Sequence, residues 1–349
     1  MKILHSIGSF LNGGIETLLV NVVNRFIANG HSVAIMIVTD KWNQDMVDAL
    51  DSRVQIFYIN KPVGSKNPWY LLKMLYYYKT FNADVLHLHS PGSERFFFPK
   101  NRNERRVVTI HNETIEMPYS DSVDQYVAIS QCVLNAFKEK TGHSNCLVNY
   151  NGVEVEQFRC KKGYAPKPYK IAVIGRILFS VKAQDLIVQA VANLPIEIRN
   201  EISVDIVGTG DELNELQTLV NKLKVNQCIT LMGDVPNSYV AENLCNYDLL
   251  LCASHHEGLG ITAIEGMVVG VPVLLSDALG YLEVSDNGKH AITFEHSNLL
   301  SLTHRLIFAY ENYSLLCKLA IKSRDYAVNK FAMGRHVERL LGLYNRKNY

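Results

Sequence analysis

The chain has 349 residues, of which 48% are hydrophobic and 20% charged, with 35 Lys and Arg against 34 Asp and Glu. That length exceeds one ordinary core and implies two domains, and the cancelled charge excludes a typical nucleic-acid binder. Seven cysteines without a C-x-x-C pair exclude a disulfide framework and point to a reducing compartment. No apolar run is long enough for a signal peptide or a membrane span, so the expected location is the cytoplasm, with peripheral contact at the membrane face as a further possibility.

In chain order, residues 2–7 (KILHSI) predict a strand and GSFLNGG a loop. Ile15, Leu18, Leu19, Val22, Val23, Phe26 and Ile27 then recur at helical spacing until Gly30 stops the run. SVAIMIVTD, VQIFYIN, DVLHLH, RVVTIHN and QYVAIS read as further strands separated by turns or helices. Residues 161–168 (KKGYAPKP) have the composition of an interdomain linker. Strands resume at YKIAVIGR, SVDIVGTG, ITLMGD, DLLLCAS and PVLLSD. Continuous apolar strands with helical crossovers imply parallel sheets covered on both faces. The fold class is therefore α/β with two Rossmann-like domains: 1–157, a linker 158–168, and 169–333, followed by a last helix in 334–349. Ligands of such folds sit outside the carboxyl ends of the strands, here in the crevice between the domains. Candidate polar residues cluster at those ends: Gly13, Gly14 and Glu16, then His111, Arg176, Gly208 with Gly210, and Glu257.

At these residues the sequence resembles the retaining GT-B glycosyltransferases of family 4. HHEGLGITAIEGMVVGVPVLLSD (255–277) is similar to the family's E-x7-E segment, with Glu257 and Glu265 as its acids. GRILFSVKAQDLI (175–187) looks like its phosphate clamp, giving Arg176 and Lys182. VNYNGVEVEQF (148–158), DVLHLHS, VVTIHNE and GGIE resemble first-domain segments of the same family. Departures touch packing and the sugar pocket: Leu259 where the family usually has Phe, Cys252-Ala253-Ser254 without the usual Pro, and Gly266 and Val269 for alanines.

The resemblance implies a GT-B architecture with an interdomain active-site cleft. It implies transfer of a sugar from a nucleotide diphosphate, UDP above all, to an acceptor hydroxyl with retained configuration and no metal or other cofactor. The expected acceptor is a saccharide or lipid-linked saccharide of surface polysaccharide or glycolipid synthesis. His111, Arg176, Lys182 and Glu257 become the expected catalytic residues. Gly13, Gly14, Glu16, Gly208, Gly210, Gly258, Leu259, Gly260, Ile261 and Glu265 become the expected substrate-binding ones. The family also returns its last helix to the first domain, and Val337, Leu340, Leu341 and Tyr344 give that helix an apolar stripe.

The chemistry stands without the family. A departing nucleotide diphosphate gathers negative charge, which needs fixed cations and oriented N–H groups. Arg176 offers a fork and Lys182 a point charge. Gly258-Leu259-Gly260 leads into a predicted helix whose N-terminus favours phosphate. Glu257 can accept from sugar hydroxyls and Glu265 from ribose hydroxyls, roles the resemblance implies. Asp-x-Asp, a common metal-binding pair, is absent from the chain.

Plainer readings compete. Thr262-x-x-Glu265 also has the form of a helix capping box. Arg176 and Lys182 could be solvated, and Gly208 and Gly210 could serve a tight turn. Glu283 is equally at home in solvent or near the donor. His87 and His89 alternate onto one strand face and could join His111 around a metal, but buried hydrogen-bonded histidines are the preferred reading. A nicotinamide dehydrogenase needs G-x-G-x-x-G, which neither GSFLNGG nor GTGDEL completes. A nucleotide-sugar epimerase or hydrolase, or a non-catalytic sensor, would share the clamp and both acids. WYLLKMLYYYK (69–79) and RFFFPKNRNERR (95–106) combine aromatic residues with Arg95, Lys100, Arg102, Arg105 and Arg106, a composition suited either to core plus solvated loop or to an anionic lipid surface.

Overall fold

The computed structural model describes residues 1–113, 120–164 and 169–345. They form two compact units, Met1–Gly152 with Met333–Tyr349, and Val153–Ala332.

In the first unit the strands are β1 (Lys2–Ile7), β2 (Ser32–Thr39), β3 (Gln55–Lys61), β4 (Val85–Leu88), β5 (Arg105–Ile110), β6 (Gln125–Ala128) and β7 (Cys146–Val148). They make one sheet in the order β3-β2-β1-β4-β5-β6-β7, every pair parallel. In the second unit β8 (Tyr169–Ile174), β9 (Ile202–Val207), β10 (Ile229–Gly233), β11 (Leu249–Cys252), β12 (Val273–Ser276) and β13 (Ile292–Phe294) run in the order β10-β9-β8-β11-β12-β13, again all parallel. The strands β4 and β11, central in their sheets, are buried at every residue because helices cover both faces. The three-residue edge strands β7 and β13 are additions to the strands expected from the sequence.

The chain divides at Gly152, so residues 153–157, expected in the first domain, belong to the second unit. Backbone bonding explains this. Val153 N–H donates to Phe331 O (2.8 Å), Arg159 N–H to Ala241 O (2.9 Å) and Lys161 N–H to Val269 O (2.9 Å). Of the expected linker, residues 165–168 lie outside the described residues.

The last helix, Met333–Asn345, packs on the helix Gly14–Ala28, both within the first unit. Val337, Leu340, Leu343 and Tyr344 join the core around Leu19, Val22 and Phe26. Leu341 of the expected stripe is only partly buried, because the face turns toward Leu343. Residues 346–349 of the expected last segment lie outside the described residues.

One member of the basic segment turns inward. Arg106 is 3% exposed: its Nε donates to Glu104 Oε1 at 2.7 Å, and its Nη2 to Tyr78 Oη at 3.1 Å and to Phe97 O. The 95–106 surface therefore loses Arg106 and Phe97, both of which are buried. Arg106→Lys keeps the charge but not the planar fork. It is expected to lower stability by about 1–2 kcal/mol, read by denaturant unfolding.

Candidate functional site

In the second unit, three loops leave neighbouring strands at their carboxyl ends: Gly175–Leu178 after β8, Gly208–Gly210 after β9, and Ala253–Gly260 after β11. Ile177 N–H donates to Thr209 O (2.9 Å), which ties the first two loops, and His255 N–H donates to Val181 O (2.9 Å), which ties the third to the helical turn that follows the first. A Cβ at Gly208 would lie 2.1 Å from Gly175 O, and one at Gly210 2.0 Å from Ile177 O. This backbone crossing alone accounts for the missing side chains at both positions.

Lys182 ends the one-turn helix Phe179–Lys182, its chain running beside Gly175. Its Nζ meets Glu257 Oε2 at 2.6 Å, with side chains 30% and 17% exposed. Ser254 Oγ also donates to Glu257 Oε2 (3.3 Å) and bonds Tyr281 Oη (3.0 Å), while Gly280 N–H donates to Glu257 O (3.1 Å). Glu257 is thus held by a cation, a hydroxyl and its own backbone. Arg176 next door is exposed. Its carbonyl accepts from the buried Gln184 Nε2 (2.9 Å), and Gln184 Oε1 accepts from Leu178 N–H (3.2 Å), which fixes the loop. Gln184 and Tyr281 do not stand out in the sequence, and Ser254 does so only as part of a departure from the family's segment. A buried polar residue leaves no mark in hydropathy periodicity.

The helix Ile261–Val269 opens at Gly260, whose φ of +91° favours glycine and whose Cβ would strike the Tyr281 ring at 2.5 Å. Its N-cap carries no side-chain bond. The capping-box reading of Glu265 therefore fails: Thr262 is the second helical residue, not the cap. Burial raises the Glu265 carboxyl to about 7, with no charged or hydrogen-bonding partner among the described residues offsetting it. Leu259 is 1% exposed, so its expected ligand contact reduces to its backbone. Gly266 lets this helix approach β11, since a Cβ there would lie 2.5 Å from Leu250 Cδ2. Ile261 and Glu283 are half-buried.

In the first unit, Gly13 is the N-cap of the helix Gly14–Ala28 and Glu16 is its third residue. The Glu16 carboxylate accepts backbone N–H groups of Leu11 and Glu16, and burial raises its pKa. Glu16 thus closes the Leu11–Gly13 loop.

His111 follows β5 and belongs to a histidine cluster. His5 Nδ1 and His89 Nε2 are 3.0 Å apart, and His89 Nδ1 and His111 Nε2 3.2 Å. His87 bonds Tyr344 Oη (2.5 Å) and Thr109 Oγ1 (2.7 Å). One ring nitrogen from each of His5, His87 and His89 lies within 4.8 Å of the others, a set with His5 in place of the His111 weighed from the sequence; both His87 nitrogens bond hydroxyls and the rings stack. Burial lowers the pKa of all four, that of His111 to about 4. Among the described residues no helix is long and apolar enough to cross a membrane.

The sequence pattern of the family described as Glycosyl transferases group 1 matches residues 154–326, and that of Glycosyltransferase Family 4 matches residues 12–157. N-acetyl-alpha-D-glucosaminyl L-malate synthase of Bacillus anthracis is 24% identical over 289 residues, 75% of this chain and 74% of that protein. Poly(ribitol-phosphate) alpha-N-acetylglucosaminyltransferase of Staphylococcus aureus is 23% identical over 185 residues, 52% of this chain but 37% of its own length. The crystal structure of HepE from Anabaena, solved with UDP and glucose, shares the fold at a TM-score of 0.82 and 17% identity, covering 99% of this chain and all (100%) of that one.

Proposed function

The chain belongs to the group 1 glycosyltransferases, and from that premise we propose that it moves a glycosyl group from a UDP-sugar to an acceptor hydroxyl with retention and without a divalent metal. The observation that carries this reading is the Lys182–Glu257 pair at 2.6 Å beside Arg176 and the N-terminus of the helix Ile261–Val269. Arg176 and Lys182 supply cations for the diphosphate, and the uncapped backbone N–H groups supply fixed donors. Together these meet the charge that a metal would otherwise carry. Glu257 accepts from sugar hydroxyls and Glu265 from the ribose. The bond from the anomeric carbon to the β-phosphate oxygen breaks, a bond to the acceptor oxygen forms on the same face, and the acceptor proton goes to the departing phosphate. UDP is favoured because the HepE structure was solved with UDP and glucose.

A screen of nucleotide sugars by thermal shift identifies the donor, since a ligand of the folded state raises the melting temperature. With that donor, UDP release is expected to depend on added acceptor. Chemistry on the donor alone would indicate an epimerase or hydrolase, and binding without turnover a sensor.

For the acceptor we propose a saccharide or lipid-linked saccharide of surface-polymer synthesis, by likeness to the S. aureus relative, met at an anionic membrane face. Trp69, Leu72 and Tyr76 line one side of the helix Pro68–Phe81 and are 63%, 58% and 64% exposed. Phe96, Phe98, Arg95 and Arg102 are exposed nearby, and Lys79 Nζ ties the two segments through Pro99 O (2.5 Å). Pelleting with anionic vesicles is expected to weaken as salt rises and to fall further in Trp69→Ser with Leu72→Ser. Equal binding to neutral vesicles at every salt would remove the membrane from this reading.

A further inference from the structure

We propose that Tyr281 and Ser254 are positioning residues for Glu257. The Tyr281 phenol donates to Ser254 Oγ, the Ser254 hydroxyl donates to Glu257 Oε2, and this one-way relay fixes the carboxylate for the donor sugar. The kinetic half of the proposal rests on the glycosyl-transfer reading above; the relay itself does not.

The direction of the relay follows from what each group can give. The Glu257 carboxylate, paired with Lys182, only accepts, so the Ser254 proton goes to its Oε2 (3.3 Å). A serine hydroxyl has a single proton. The 3.0 Å contact between Ser254 Oγ and Tyr281 Oη is therefore filled by the proton of the phenol. Burial first, then the neighbouring Cys252 and Glu257, raise the pKa of that phenol, so it is a permanent donor. Ser254 is fixed from behind as well: its carbonyl accepts from Ser276 Oγ (2.6 Å), the last residue of β12. Ser254 and Tyr281 are 1% and 3% exposed, so the relay runs from the core to the acid.

The two holds on Oε2 differ in kind. Lys182 reaches it at 2.6 Å from a side chain 30% exposed, and it is the cation assigned above to the diphosphate. Once phosphate draws that ammonium away, Ser254 is the side-chain bond left to set the angle of Glu257. The short helix Leu279–Val284 that carries Tyr281 also holds the backbone of the acid. Gly280 N–H donates to Glu257 O (3.1 Å), and a Cβ at Gly280 would lie 2.2 Å from that oxygen. The Tyr281 ring packs against Gly260, the N-cap of the helix Ile261–Val269. Tyr281 thus touches the cap of the helix whose N–H groups face phosphate and, through Ser254, the acid assigned to the sugar. Its ring serves the first contact and its hydroxyl the second, so the two can be separated by one oxygen atom.

Tyr281→Phe keeps the ring and removes only the phenol oxygen. With the UDP-sugar selected by the thermal-shift screen, Tyr281→Phe and Ser254→Ala are each expected to lower kcat roughly tenfold, while calorimetry finds UDP bound within about twofold of the unaltered protein. A general loosening of the fold would weaken UDP as well, and that result overturns the positioning role. The double variant is expected to match Ser254→Ala alone, because Tyr281 acts through Ser254; losses that multiply overturn the relay. Unchanged kcat in a folded Tyr281→Phe also overturns it. Should Tyr281→Phe fail to fold, unchanged kcat in Ser254→Ala does the same. Denaturant unfolding gives a reading that needs no turnover. Tyr281→Phe is expected to lower the midpoint in the unaltered protein and to raise it in Ser254→Ala, where the buried phenol has lost its acceptor. Equal shifts in the two backgrounds overturn the relay. If the unaltered protein turns over no UDP-sugar, the proposed function fails, and the unfolding comparison still decides the relay.

Discussion

Glu257→Ala is expected to lower turnover by on the order of 10²-fold while UDP binds nearly as well as to the unaltered protein. The carboxylate is fixed by Lys182 Nζ (2.6 Å), by Ser254 Oγ (3.3 Å) and by the bond from Gly280 N–H to its own carbonyl. A group held so firmly orients whatever it binds, and loss of orientation at the anomeric carbon falls on kcat rather than on nucleotide affinity. Removing it also frees Lys182 for phosphate, which keeps the affinity for UDP near that of the unaltered protein. Steady-state UDP release gives the first quantity and calorimetry with UDP the second. Turnover within about threefold of the unaltered enzyme would reject the role of Glu257.

The same geometry shows which parts of the site a sequence can carry. Strand interiors such as VLHL and LLLC are unbroken apolar runs between turns, and they were placed correctly because buried parallel strands leave that signature. CLV and ITF were missed, since a three-residue edge strand is indistinguishable from loop until its neighbour is known. The boundary at Gly152 depends on backbone bonds such as Val153 N–H to Phe331 O, between residues far apart in sequence. Charge was legible as composition but not as direction. Arg106 looks like its neighbours in RNERR, yet strand alternation turns it inward onto Glu104 and Tyr78. Glu16 is acidic and close to a glycine pair, but that its carboxylate accepts from its own N–H and from that of Leu11 is visible only in the fold. Glu257 and Lys182 were both singled out, but their pairing across 75 residues required the fold. Ser254, Tyr281 and Gln184 are ordinary residues in the sequence and act only through what they touch.

Glu265 gives the second large effect, and its sign with pH is specific. Glu265→Gln is expected to weaken UDP binding by about 1.5–3 kcal/mol, roughly 10- to 150-fold, because the ribose hydroxyls lose a charged acceptor. Burial raises this carboxyl from 4.5 to about 7 in the unliganded protein. The folded chain then holds more protons than the unfolded one between those values. Its stability therefore falls as pH rises from about 4.5 to about 7, and the whole penalty is present above that. Glutamine removes the penalty, so Glu265→Gln should melt above the unaltered protein at pH 8, with the two converging at pH values below 4.5. Binding follows the opposite course: UDP needs the carboxylate, so the advantage of glutamate over glutamine should shrink as pH falls through about 7. Comparing the two proteins at each pH cancels the titration of the nucleotide's own phosphate. Differential scanning calorimetry and UDP titrations at pH 5, 6, 7 and 8 read both curves. A capping role predicts no such pH dependence, and it fails on the helix start, since the N-cap is Gly260 and not Thr262. Equal UDP affinity of the two proteins at pH 8 would remove Glu265 from the nucleotide site, whatever the melting curves show.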